Sequence, residues 1–209
     1  MSKEEVQKKI TSDDIMIFLC DSVSYVLNTA TKSTVKYTPM VQRITKTSLT
    51  PDIGTFVMFT GSFSGMVVIN FPKSTAMELY QNYLLNMGMT EDELVKNYTS
   101  DEVSNSLGEL MNQILGNFTK VISDRLHTTI TQSQPKMLAL PRELQLSINV
   151  SLDNPKYSKV TFNTNNNNVF YLELAMDDTD FTVVRKLEEH SQLSPDEILE
   201  QILNSKQGS

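Results

Sequence analysis

The stretch NSLGELMNQILGNF, residues 105–118, decides how the rest of the chain is read. An α-helix advances about 100° per residue. At that step Val103, Leu107, Leu110, Met111, Ile114, Phe118, Val121 and Ile122 fall on one stripe, which predicts a helix over about residues 100–127 lying on a sheet. Asn105, Glu109, Asn112 and Gly116 fall on the opposite side, spaced by four, three and four residues, so that neighbouring side chains meet. A solvated face is the plain reading of this ridge, because exposed polar residues need no explanation. Two features speak for more. Asn is a poor helix-interior residue, and a glycine such as Gly116 costs about 1 kcal/mol relative to Ala. A purely structural surface favours Lys, Glu, Gln and Ala instead. Gly108 and Gly116 also flatten the helix, which suits close approach by another protein.

The pattern extends in both directions. Residues 1–11 read as a flexible arm. A helix is expected over Ser12–Thr29, capped by Ser12 or Asp13, with Ile15, Phe18, Leu19, Ser22 and Val26 on one face. TVKYTPMVQRI then reads as a strand with Pro39 at an edge or bulge, and GTFVMFTGSFSGMVVINF as a hairpin turning at Gly61 and Gly65. Thr75 with Glu78, Thr90 with Glu93 and Thr99 with Glu102 are capping-box signatures for three further helices. After Pro135 the period changes to two: LQLSINVSL alternates strictly, and KVTFNTNNNNVFYLELAM reads as a hairpin turning at the Asn165–Asn168 run.

Residues 12–72 and 99–176 thus echo each other as a helix followed by about three strands, a weak internal repeat. The expected class is α+β, with long helices packed on an antiparallel sheet in a domain spanning 12–176. Residues 177–209 read as a tail without strand pattern that ends in a short amphipathic helix, PDEILEQIL.

Composition narrows the function. The chain has 209 residues, a net charge of −7 and a pI near 4.9. Such a chain repels phosphate backbones, which argues against nucleic-acid binding, and gives no support to binding at an anionic membrane. Cys20 is the one cysteine, so no intrachain disulfide forms. The polar N-terminus lacks a signal-peptide core, and no apolar run is long enough to span a membrane. A cytoplasmic protein is expected.

The ridge carries a recognisable spacing. Two residues separate Glu109 from Asn112, and twenty-two separate Asn112 from Pro135. This resembles the motif of the CheC/CheX/FliY family of chemotaxis phosphatases: Asp or Ser, three residues, Glu, two residues, Asn, twenty-two residues, Pro. Within that family the chain looks like an uncharacterised group of CheX-like bacterial proteins. The hairpin GSFSGMVVINFP also resembles the Gly-rich hairpin of CheX-like domains. The resemblance covers about residues 12–176. It departs from the motif at Asn105, where the family has Asp or Ser.

The resemblance implies a CheX-like fold and hydrolysis of the aspartyl-phosphate of a CheY-like receiver domain. Asn112 would orient the attacking water, and Glu109 would contact the receiver's lysine. Asn105, Gly108 and Gly116 would line the partner contact, with Pro135 as the motif proline. Mg²⁺ would belong to the receiver, with no metal or cofactor bound by this chain. Because the first helix carries Asp21 and Ser24 where a second pair would be sought, one site per chain is expected. The alternative is a non-catalytic adaptor that binds a receiver or a flagellar-motor protein, which the departure at Asn105 and the added tail favour. A structural dimer built on sheet edges is a third reading, and CheX-like proteins form homodimers.

Other candidates fall away. GSFSG at 61–65 has Phe63 at the nucleophile position of an elbow motif, and the only histidines are His127 and His190, too few for a His-rich metal site. Cys20 reads as a small core residue.

Overall fold

The computed structural model describes residues 6–185. β1 (Val6–Ile10) leads into α1 (Ser12–Thr31). Thr11 caps α1: its hydroxyl accepts from the Asp14 N–H, and the Asp14 carboxylate accepts from the Thr11 N–H at 2.8 Å. This reciprocal pair satisfies two donors that the helix start leaves free. Five strands follow: β2 (Lys36–Tyr37), β3 (Gln42–Ile44), β4 (Thr47–Leu49), β5 (Ile53–Gly61) and β6 (Gly65–Phe71). α2 (Lys73–Asn86) starts behind Pro72, and the 3₁₀ turn Glu91–Glu93 carries the capping box expected of Thr90 and Glu93. α3 (Asp101–Leu126) is capped by Ser100, with Asp101 and Glu102 in its electropositive first turn. Five more strands come next: β7 (Ile130–Gln132), β8 (Lys136–Ala139), β9 (Leu146–Ile148), β10 (Pro155–Asn163) and β11 (Val169–Asp177). β12 (Phe181–Arg185) pairs with β1 in a two-stranded ribbon. Lys9–Phe181 form one compact unit, and among the described residues 6–8 and 182–185 belong to another.

Eight strands make one antiparallel sheet. Its path is β2-β10-β11-β6-β5-β7, with β3 also on β10 and β8 also on β5. The order is symmetric about the β6–β11 pair. Each half is a helix followed by five strands rather than about three. The last two strands of each half form a long hairpin. The first two flank the hairpin of the other half, and the middle ones, β4 and β9, pair with each other off the sheet. This is the α+β architecture expected of the sequence, with long helices packed on an antiparallel sheet.

The two faces of the sheet are covered differently. Phe59, Val57 and Ile53 on β5, Val67, Ile69 and Phe71 on β6, and Phe170, Leu172 and Leu174 on β11 form the face under the helices, where Phe59 meets Phe118 of α3 edge-on. The other face carries a second cluster of Leu49, Met66, Val68, Leu140 and Ala175. Two buried polar side chains on that face hold β4. The Asn70 side chain accepts from the Thr50 N–H and donates to the Ser48 carbonyl, each at 2.8 Å, and the Glu173 carboxylate accepts from the Ser48 N–H at 2.9 Å.

Several expectations need correction. Thr75 and Glu78 do not cap α2. Thr75 donates instead to the Val169 carbonyl, and buried Glu78 accepts from Thr164 and Asn168 at 2.7 Å and Asn166 at 3.0 Å, bracing the β10–β11 turn. Asn167 supplies that turn with φ 59°. Thr99 is likewise not the α3 cap, and Glu102 instead accepts from the Tyr80 hydroxyl. TVKYTPMVQRI splits into β2 and β3 around Pro39, which has no N–H for the ladder. LQLSINVSL is a strand only over Leu146–Ile148, because its partner β4 is three residues long; Leu144 and Leu146 stay exposed while Ile148, Val150 and Leu152 pack on the second cluster. Residues 6–10 of the expected arm and 181–185 of the expected tail are paired strands, and the predicted terminal helix lies outside the described residues.

Two measurements test this packing. Glu78→Ala removes one acceptor group from three donors and is expected to cost about 1–3 kcal/mol in urea unfolding; an unchanged midpoint would remove Glu78 as the brace. Cys20 is buried in α1, and burial first, then Asp21, pushes its thiol up to about 12. The thiolate is the reactive form, so labelling by Ellman's reagent at pH 8 is expected to track unfolding; prompt labelling of the native chain would contradict the burial.

Candidate functional site

α3 is buried on the face it turns to the sheet, through Val103, Leu107, Leu110, Met111, Ile114, Phe118 and Ile122. Leu115 and Ser106 are buried as well, which leaves a narrow free strip. On that strip lie Asn105, Glu109, Asn112 and Gly116, all exposed. The pair singled out in the sequence therefore sits one turn apart on an accessible helix face.

Little in the chain's own fold uses these groups. Among the described residues, Glu109 has no ion pair and the Asn112 side chain has no hydrogen-bond partner. One contact reaches Glu109: Gln113 donates to its Oε1 at 3.3 Å. A Cβ added at Gly116 would meet nothing within 4 Å, so no neighbour demands a glycine there. At Gly108 a Cβ would lie 3.9 Å from Met137 Cγ, an ordinary contact. Both glycines thus weaken the helix without relieving a clash.

Met137 belongs to β8, where it is paired with Thr55, and Pro135 lies immediately before that strand. The β5–β8 ladder stops at Lys136, because Pro135 has no N–H to continue it. Half-buried Pro135 therefore marks the end of a strand that runs past the Gly108 side of α3.

α1 offers no equivalent pair. Asp21 accepts from the Tyr37 hydroxyl at 2.8 Å, and the Ser24 hydroxyl is buried without a partner. Near by, Phe18, Asp21, Ser22, Tyr25, Asn117, Val121 and Arg125 line a groove of about 250 Å³ between α1 and α3, with the Arg125 guanidinium 4.4 Å above the Phe18 ring. Among the described residues no three His, Cys, Asp or Glu side chains converge as a metal site, and no helix is long and apolar enough to cross a membrane.

Two residues of the site escape the sequence reading. Gln113 lies one turn beyond Glu109, a spacing at which side chains meet, so helical geometry was the available signal. Tyr83, whose hydroxyl accepts from the same Gln113 amide at 3.4 Å, comes from α2 and has no sequence signal at all.

Comparison with solved structures agrees with this architecture. CheX from Desulfovibrio desulfuricans superposes with a TM-score of 0.61 at 18% identity, over 78% of this chain and 99% of that one. A CheC-like superfamily protein from Shewanella sp. PV-4 gives 0.63 at 17%, over 78% and 97%. CheX in a complex with CheY, BeF₃ and Mg²⁺ from Borrelia burgdorferi gives 0.59 at 15%, over 79% and 99%. No curated protein matches the sequence. The fold is therefore that of the CheC/CheX/FliY family. One family model covers residues 6–209, and the chain belongs to that family, described as protein of unknown function DUF3334.

Proposed function

We propose that the chain is a single-site phosphatase acting on the aspartyl-phosphate of a CheY-like receiver domain. The observation that carries this reading is the exposure of Glu109 and Asn112 together on one strip of α3, with no ion pair on the first and no side-chain hydrogen bond on the second among the described residues. The CheX–CheY complex among the structural neighbours supports a receiver as the partner.

The chemistry suits the groups. Phosphoryl transfer relies on positioning and electrostatics more than on covalent participation by the protein. The Asn112 amide both accepts and donates hydrogen bonds, so it can hold a water in line with the phosphorus. The water oxygen bonds to phosphorus as the P–O bond to the receiver's aspartate breaks. Aspartate leaves as carboxylate and the water's protons end on phosphate and solvent. Glu109 pairs with the receiver lysine next to the phosphoryl group, which fixes register and anchors the partner. Mg²⁺ is held by the receiver. Gly108 and Gly116 give the receiver's backbone room beside the pair, and Asn105 extends the polar contact by one turn.

The assay is loss of phosphate from purified CheY-like receivers of the same organism, loaded with a small phosphodonor. Wild type is expected to accelerate it. Glu109→Lys and Asn112→Ala are each expected to lower the rate by about 10²–10³-fold, the usual effect of removing one positioned polar group. Binding that survives both changes, without acceleration by wild type, would replace this reading with the adaptor, to which Asn105 in place of Asp or Ser already points. Gly116→Ala gives a second test with opposite signs. It is expected to stabilise the chain by about 0.5–1 kcal/mol in urea unfolding, while weakening receiver binding; a gain in both would remove Gly116 from the contact.

A further inference from the structure

We infer that Gln113, braced by Tyr83 of α2, is a positioning residue that holds the Glu109 carboxylate ready for its cationic partner; the inference rests on the role given to Glu109 above. Gln113 Nε2 donates to Glu109 Oε1 at 3.3 Å and to the Tyr83 hydroxyl at 3.4 Å. Both bonds leave from one nitrogen, so together they orient the amide. Tyr83 can act as a brace because its helix is anchored: Tyr80 and Leu84 on either side of it are buried, and the Tyr80 hydroxyl accepts from the Val95 N–H and donates to Glu102 of α3. Tyr83 itself is half-buried between solvent and the helix pair.

The choice of side chain at position 113 is informative. A lysine four residues after a glutamate gives the better helix-stabilising pair. It would also neutralise the carboxylate and compete with an incoming ammonium group. Glutamine holds Glu109 without cancelling its charge, and Glu109 Oε2 has no internal donor among the described residues. An exposed Glu that is free to rotate must be ordered when a partner binds, which lowers affinity. The Tyr83–Gln113 relay does part of that ordering beforehand. It acts on docking, whereas Asn112 acts on the chemical step.

The test separates those two effects in the full-length chain. Steady-state dephosphorylation of a phosphodonor-loaded CheY-like receiver is measured for wild type, Gln113→Ala, Gln113→Lys and Tyr83→Phe. Gln113→Ala is expected to raise KM about three- to tenfold with kcat within about twofold, the size of one ordinary net hydrogen bond. Gln113→Lys raises KM further through competition for Glu109, and Tyr83→Phe raises it less. A fall in kcat at constant KM, or no change in either, would overturn the inference. A second readout needs no receiver: three-bond NMR couplings of the Glu109 side chain report one dominant rotamer in wild type and averaging in Gln113→Ala. Averaged couplings in both would also overturn it. If wild type dephosphorylates no receiver, the phosphatase reading fails, and the couplings alone decide whether Gln113 positions Glu109.

Discussion

β6 and β11 pair at the centre of the sheet, and nearly every residue along them is buried. A strand covered on both faces cannot alternate apolar and polar side chains, and GMVVINF and FYLELAM accordingly run almost wholly apolar. Such a pair is stable only if something packs on each side. α1, α2 and α3 cover one face. The other is closed by β4 and β9, drawn in by the two polar side chains that interrupt the apolar runs, Asn70 and Glu173. Each has its polar atoms spoken for, as burial requires.

The site follows from this requirement. α3 is long because it spans the sheet, and its sheet-facing stripe is fixed by contact with residues such as Phe59. α2 and β8 run along its flanks and narrow what remains open to a strip one or two side chains wide. Everything on that strip is held at a defined height by a packed core, yet almost nothing on it is used internally. On the proposed reading, a pair on a packed helix face needs no cleft, because the reacting group is already seated in the receiver's own pocket. On α1, Asp21 is instead engaged by the Tyr37 hydroxyl, so no equivalent bare pair is found there.

The helices were legible because their apolar spacing and end signals are local. The long hairpins were legible because a turn lies between two strong strands. What stayed hidden depends on distant partners. β4 exists because it pairs with β9 and lacks the length to announce itself, and the alternation of LQLSINVSL showed β9 but neither its partner nor how short it is. Thr75 and Glu78 have the spacing of a capping box, yet the carboxylate is claimed by a turn from the other half of the chain. For the site, Glu109 and Asn112 were visible as a ridge because helix geometry alone places them. The contribution of Tyr83 needed the packing of α2 against α3. The motif proline was found by its count of residues, but its place immediately before β8 follows from where the β5–β8 ladder stops.

The symmetric strand order has a consequence for how the chain is made. β2 and β3 find their neighbours on β10, and Arg43 of β3 bonds to a serine 115 residues further on. During synthesis the first hairpin therefore emerges with one edge waiting for β11 and the other for β7 and β8, none of which has yet left the ribosome. Neither half can be finished before the other. Exposed edges of this kind invite pairing with foreign strands, and contacts so remote in sequence close slowly. The nascent first half is thus the interval in which the protein is most in need of a chaperone, and cutting the gene between the halves would yield fragments obliged to find each other to become soluble.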